Sequence, residues 1–302
     1  MSKEETRETR GLARALQSIA RLRRLLIPAL ILGFVAGAII LWRQFGDGVI
    51  SSQSDKYIVS SDRMQTTQRP AWVKSDVAAE VFQDAGWDSQ PLSILEEDLT
   101  VRVAQAFEQH TWVAKVTRVT KQSPATVVVD LEYRRPAAMF EVDYQGEGGL
   151  LPVDAHGILL PPEDFSVEEA MAFPRITVDY SGPSGSVGTP WGDDRVQGAA
   201  SIAASFTDHW KALGLYRVVA MPSDKPASVS PTLYELHTRE NARVIWGRAP
   251  GAEVAGEATA QQKIARLMRY VQQHGPLDDT EAVVEVDLRD AEKISARPVE
   301  FD

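Results

Sequence analysis

The stretch Ser123–Phe140, SPATVVVDLEYRRPAAMF, decides the fold. Its first half alternates: Val127, Val129, Leu131 and Tyr133 fall on one side of an extended chain, while Asp130 and Glu132 fall on the other. That period of two is the signature of a strand with one face in a core. Ser123-Pro124 marks a turn joining it to a second strand-like run, Trp112 to Thr120. The second half closes on Arg134-Arg135, then Pro-Ala-Ala. Two arginines could grip an anion, or they could cap exposed carbonyls and guard a sheet edge against aggregation. Proline cannot donate to a ladder, so Pro136 halts the pairing and sends the chain onward.

Upstream, Tyr57 to Val59 suggests a brief strand. Val77, Val81 and Phe82 show helical spacing over Lys74 to Asp84, with Ser75 as the cap and Gly86 as the stop. A second helix is predicted over Glu96 to Gln109, with Leu99, Val103, Ala106 and Phe107 on one face. The order is strand, helix, helix, strand, strand. From about Phe140 the pattern changes to short runs with frequent turns: Gly149 to Val153, Gly157 to Leu160, Arg175 to Asp179, Leu233 to His237, Arg243 to Trp246, Ala282 to Leu288 and Lys293 to Arg297. Helices at Val196 to Leu213 and Thr259 to His274, the latter closed by Gly275-Pro276, interrupt them. The fold class read here is α+β, with a mostly antiparallel second domain.

The 302 residues are enough for two cores plus a tail. The net charge of -10 is uneven. Residues 1–24 carry seven Lys/Arg and three Glu, or +4, which leaves -14 on the rest. An acidic body is a poor partner for nucleic acid. Between the two parts lies LLIPALILGFVAGAIILW, Leu25 to Trp42, without a charged residue. Eighteen residues at about 1.5 Å each span roughly 27 Å, so the sequence predicts a transmembrane helix with Trp42 at the outer interface. Arginines 14, 21, 23 and 24 precede it and only Arg43 follows closely, which places the N-terminus in the cytoplasm and the bulk outside. A cleaved signal peptide, with Ala36-Gly37-Ala38 as its site, is the rival reading. The chain has no cysteine, which suits an oxidising compartment without requiring one.

Motifs for chemistry are sparse. The five histidines, His110, His156, His209, His237 and His274, are not at metal-ligand spacing. Gly182 to Thr189 resembles a phosphate loop superficially, but five residues separate its outer glycines and no lysine precedes the threonine. Asp154-Ala-His156-Gly157 could share a metal or a proton, yet Gly157 between apolar runs makes a hairpin turn the simpler account. No catalytic residue, metal site or cofactor is assigned, and no small-molecule substrate is expected.

Taken together, the residues resemble the FtsQ/DivIB family of bacterial cell-division proteins, whose outer part is a POTRA domain followed by a β domain. Trp112, Val113, Val116, Lys121, Pro124, Thr126, Val127, Val129, Leu131, Arg134, Pro136 and Ala138 fall onto the family's signature; Arg118, Tyr133 and Ala137 depart from it. Val153-Asp154 with Gly157, Phe173-Pro174-Arg175-Ile176, Val244 to Gly247, Lys263-Ile264 with Leu267, and Val286-Asp287-Leu288-Arg289 follow in the family's order. The Gly/Ser/Pro-rich segment Tyr180 to Arg195 is an insertion.

The resemblance implies a cytoplasmic tail at 1–24, an anchor from Leu25 to Trp42, a linker at 43–55, a POTRA domain at 56–139 and a β domain at 140–302. It implies a non-enzymatic scaffold at the septum that binds FtsB-like and FtsL-like partners and helps control septal peptidoglycan synthesis. A partner strand would join the edge formed by Lys293, Ile294, Ser295, Ala296 and Arg297, with Arg289 setting specificity. Two other readings are a POTRA-bearing secretion or assembly module and a membrane-anchored periplasmic hydrolase.

Overall fold

The computed structural model describes residues 34–37, 40, 55–144, 147–206, 209–222, 231–240, 242–277 and 284–298. The first unit comprises β1 (Ile58–Val59), β2 (Met64–Thr66), α1 (Val77–Asp84), β3 (Leu92–Ser93), α2 (Leu99–Glu108), β4 (Val113–Gln122) and β5 (Thr126–Tyr133). β5 is central in a three-stranded sheet, parallel to β2 and antiparallel to β4, while β1 and β3 form a separate ribbon. The first strand of this sheet is therefore 64–66, not the 57–59 run that its apolar residues suggested. Asp76, not Ser75, caps α1: its carboxylate accepts from the Ala79 N–H. Both residue types cap well, so composition alone does not choose between neighbours. The helices bury Val77, Val81, Phe82, Leu99, Val103 and Phe107 against Val127, Val129 and Leu131 of β5.

The second unit begins with β6 (Pro136–Tyr144) and β7 (Glu147–Asp154). It continues through α3 (Val167–Met171), β8 (Arg175–Thr177), α4 (Asp194–Phe206), α5 (His209–Ala212), β9 (Leu215–Ala220), β10 (Tyr234–Thr238) and β11 (Arg243–Gly247). It ends with α6 (Ala260–His274), β12 (Val284–Asp287) and β13 (Ser295–Pro298). One eight-stranded sheet runs in the order β13-β12-β11-β10-β9-β8-β6-β7. Phe140, Ile176, Val218, Leu236, Val244 and Val286 are in-register neighbours on six of its strands, and each is at most 1% exposed. This row is the floor on which α4 and α6 lie, with Ala199, Ile202, Phe206, Ile264 and Leu267 in the same core.

Two expectations about the fold are corrected. The sheet is a mixed one: beside four antiparallel pairings, β6/β8, β8/β9 and β11/β12 are parallel. Parallel neighbours need a crossover of a dozen or more residues, and α4 with α5, and α6, supply two of them. The sequence signals both helices but not that they return the chain to the same end of the sheet. The transmembrane helix finds no counterpart: among the described residues no helix is long and apolar enough to cross a membrane. The longest described helix, α6, is amphipathic rather than apolar all round: Gln261 and Arg269 are exposed while Ile264 and Leu267 are buried. Residues 34–37 and 40 are helical, whereas Leu25 and Trp42 lie outside the described residues.

The junction answers what the paired arginines do. The Arg134 N–H donates to the Trp112 carbonyl, and its carbonyl accepts from Trp72 Nε1 at 3.0 Å. Its guanidinium reaches into the second unit to Asp154, at 3.0 Å. Asp154 in turn accepts from the His156 and Ile158 N–H groups and so shapes the turn at Gly157, whose φ is +70°. Arg134 is thus an internal strut, not an edge guard. Trp112 Nε1 donates to Asp164 at 2.7 Å, Lys74 pairs with Glu169 at 2.7 Å, and Leu160 is buried in the first unit's core.

A candidate partner-binding edge

β13 is the last strand of the sheet and has a neighbour, β12, on one side only. All four of its residues are exposed. The turn before it is built by Asp290, whose carboxylate accepts from the Glu292 and Lys293 N–H groups at 2.7 and 3.2 Å. Those two hydrogen bonds, in that order, hold the Asp290 carboxyl below its ordinary value. Lys293 is exposed, and Ile294 packs against the core and pins the start of the strand. The predicted run 293–297 is therefore a strand at Ser295–Pro298, with Lys293 and Ile294 in its lead-in and Pro298 opposite Val284. Ser295, Ala296 and Arg297 stand opposite Asp287, Val286 and Glu285.

On the sheet face away from α4 and α6, Arg297, Glu285, Arg243, His237 and Arg217 form an in-register row across β13 to β9. The Glu285 carboxylate sits in the middle of a clasp: one oxygen accepts from Arg243 at 2.8 Å and the other lies 2.6 Å from Arg297. Because Glu285 is buried and belongs to β12, the pair with Arg297 ties the edge strand to the sheet by side chain as well as by backbone. Glu235 extends the row, bonded to His237 at 2.9 Å; that hydrogen bond, against an opposing burial effect and aided by Arg243, holds its carboxyl below the ordinary value.

Arg289, the expected specificity residue, folds back on its own strand end. Its Nε and Nη2 reach the Asp287 carboxylate, with Nη2 at 2.7 Å, and its backbone N–H donates there too. Burial alone would raise the Asp287 carboxyl, but these Arg289 hydrogen bonds outweigh it and leave it lowered. About half of the Arg289 side chain remains exposed, so it can still meet a partner while staying in its ion pair.

Below this corner lies a cluster that sequence reasoning missed. Glu257 accepts from Lys263 Nζ at 2.7 Å and from the Arg248 N–H at 2.9 Å. Lys263 Nζ lies 5.0 Å over the Trp246 ring. Residues 256–258 pair with 289–291: the Ala258 N–H donates to the Arg289 carbonyl and the Ala291 N–H to the Gly256 carbonyl. The three scattered pieces Val244 to Gly247, Lys263-Ile264 and Val286 to Arg289 therefore meet at one corner of the sheet. Glu257, which gathers them, carries no motif. Its one signal was a buried lysine in need of a partner, and burial is not legible from helical spacing alone.

The other singled-out residues lie elsewhere. Trp112, Val113 and Pro124 belong to the first unit, and Arg134 and Pro136 to the junction. Of the histidines, His110 is bonded to Glu80 and to the Trp112 N–H, and His274 to the Tyr270 carbonyl. Among the described residues no group of three or more His, Asp or Glu is placed to hold a metal ion. The corner presents backbone groups, paired charges and apolar packing, which suits holding a chain. Comparison of the sequence with protein-family models and with curated proteins gives no match.

Proposed function

We propose that the protein is a non-enzymatic scaffold of bacterial cell division, of the kind the FtsQ/DivIB resemblance implies. It works at the cell membrane with its body outside the cytoplasm. There it gives β13 to a strand of a small FtsB-like partner, which brings an FtsL-like protein with it, and so helps control septal peptidoglycan synthesis. The observation that carries this reading is the free outer edge of β13, exposed along its length and anchored from beneath by Glu285 and Ile294. An edge strand offers unpaired N–H and C=O groups at every second residue, and a partner strand satisfies them. The fixed turn at Asp290 and the Glu285 clasp hold the edge in register before the partner arrives, which lowers the ordering entropy of association.

A photo-crosslinking residue at Arg297, with a second at Leu150 on the opposite edge strand β7, tests the reading in cells that make the protein. The expected product joins position 297, and not 150, to a small membrane protein of the division machinery. Equal products from both edges, or none from 297 in dividing cells, would overturn it.

A further inference from the structure

A cleft of about 460 Å³ opens where the two units meet, and its two sides come from different parts of the chain. Trp72 of the first unit, Pro136 at the start of β6, Phe173 before β8 and Trp210 of α5 make an apolar floor. Arg135 and Lys211 stand on its rim. The size is that of a pocket for a small molecule or a few residues of peptide.

The two cations set this cleft apart. Their neighbours are in use: Arg134 pairs with Asp154, and Lys74 with Glu169. The side chains of Arg135 and Lys211 are exposed and have neither ion pair nor hydrogen bond among the described residues. Among the described residues no Asp or Glu lines the cleft with them. Outside residues 1–24 the chain carries -14, so two unpaired cations beside an aromatic floor are a local exception to the charge of the whole.

We propose that this cleft binds an acidic peptide segment of a partner protein, with an aromatic or branched apolar side chain seated between Trp72, Phe173 and Trp210 and flanking carboxylates on Arg135 and Lys211. The floor favours such a segment over a bare anion, because a phosphate or sulfate would leave the aromatic surface in water. The charge of the body favours it over an anionic lipid surface, which would repel the rest of the molecule. Arginine suits the carboxylate because its fork donates two parallel hydrogen bonds to the two oxygens. The site is separate from β13: six strand spacings, about 29 Å, lie between β13 and β6, so a partner strand added at one does not fill the other. A segment here touches both units and would hold their angle.

The test uses the full chain and the peptide acetyl-Glu-Asp-Leu-Phe-Glu-Asp-amide, with the indole N–H signals of Trp72 and Trp210 as the readout. The expected result is a saturable shift of both signals, weakened about tenfold in the double variant Arg135→Gln, Lys211→Gln, both positions being exposed. Melting of that variant should match wild type. A peptide with lysine at each acidic position should not bind, and Ser295→Pro, which disturbs the edge strand, should leave the titration unchanged. Unaltered affinity in the double variant, equal binding of the lysine peptide, or shifts confined to other tryptophans would overturn the proposal. So would phosphatidylglycerol vesicles producing the same shifts where the peptide produces none.

Discussion

Lys263 Nζ lies 2.7 Å from the Oε1 of Glu257, and the lysine side chain is entirely excluded from solvent. A buried ammonium has one carboxylate and one indole face to replace its water. Burial alone would raise the Glu257 carboxyl, yet the Lys263 hydrogen bond, followed by the Arg248 N–H, brings it below its ordinary value. Removing one partner strands the other. Glu257→Gln or Lys263→Met should each destabilise the protein by about 3–5 kcal/mol, whereas the two changes combined should lose less than the sum. Denaturant unfolding of the three variants checks this; strict additivity would mean that the two charges do not depend on each other.

The second prediction concerns how the units hold together. Leu160 follows β7 in the second unit but is buried in the core of the first, and Phe165 packs there too. Phe165 meets the Trp112 ring at 6.2 Å, and Trp112 Nε1 holds Asp164. Leu160→Ala should therefore lower the stability of the first unit by about 2–5 kcal/mol, as much as a change within its own sequence such as Val129→Ala. Hydrogen exchange of β5 amides reads the effect directly. Unchanged protection in β5 would show that Leu160 fills space without supporting the fold.

A third prediction follows from the Lys74–Glu169 bridge between the units. The Lys74 hydrogen bond, then those of the Ser166 N–H and hydroxyl, lower the Glu169 carboxyl to about 2. A carboxyl lowered on folding adds stability above its unfolded value, near 4.5, and that contribution fades as pH falls toward 2. The stability difference between wild type and Glu169→Gln should thus be constant above about pH 5 and shrink as the pH falls toward 2. The pair is exposed, so the difference is small and should weaken further in high salt. A difference that grows on acidification would reverse the sign and reject the assignment.

What the sequence makes legible is local. Alternation marks β5, and Thr259 with Gly275 brackets α6, whose capping box closes between Thr259 and Gln262. The turn at Asp290 and Pro298 likewise bracket the edge strand. What it hides depends on partners distant in the chain. Arg134 and Asp154 are 20 residues apart, and Arg243 and Glu285 are 42 apart. No periodicity records such pairs. The parallel pairings of β6, β8 and β9 escape for the same reason, since a crossover leaves no mark in either strand. The insertion is a different case. Its Gly and Ser content suggests a loose connection, yet Trp191 is buried against Phe140, ring centres 4.2 Å apart, and its indole donates to Ser181. One aromatic residue anchors a loop that composition describes as linker.

The last prediction joins the buried cluster to the partner edge. Gly247 ends β11 with φ +94°, and a Cβ there would lie 2.4 Å from the Glu257 carboxylate and 3.0 Å from Cγ of Arg289. Gly251 has a similar φ, +84°, but a Cβ added to it meets nothing within 4 Å. Alanine at either site pays the left-handed backbone strain of about 1–2 kcal/mol. Only at 247 must it also displace the Glu257 oxygen that Lys263 holds and shift Arg289 Cγ by a few tenths of an ångström. Gly247→Ala should therefore lose more stability than Gly251→Ala and should weaken partner crosslinking from position 297. Gly251→Ala should leave the crosslink intact. If the two variants behave alike in both measurements, the corner beneath β13 has no hold on the edge strand, and Arg289 owes its position to Asp287 alone.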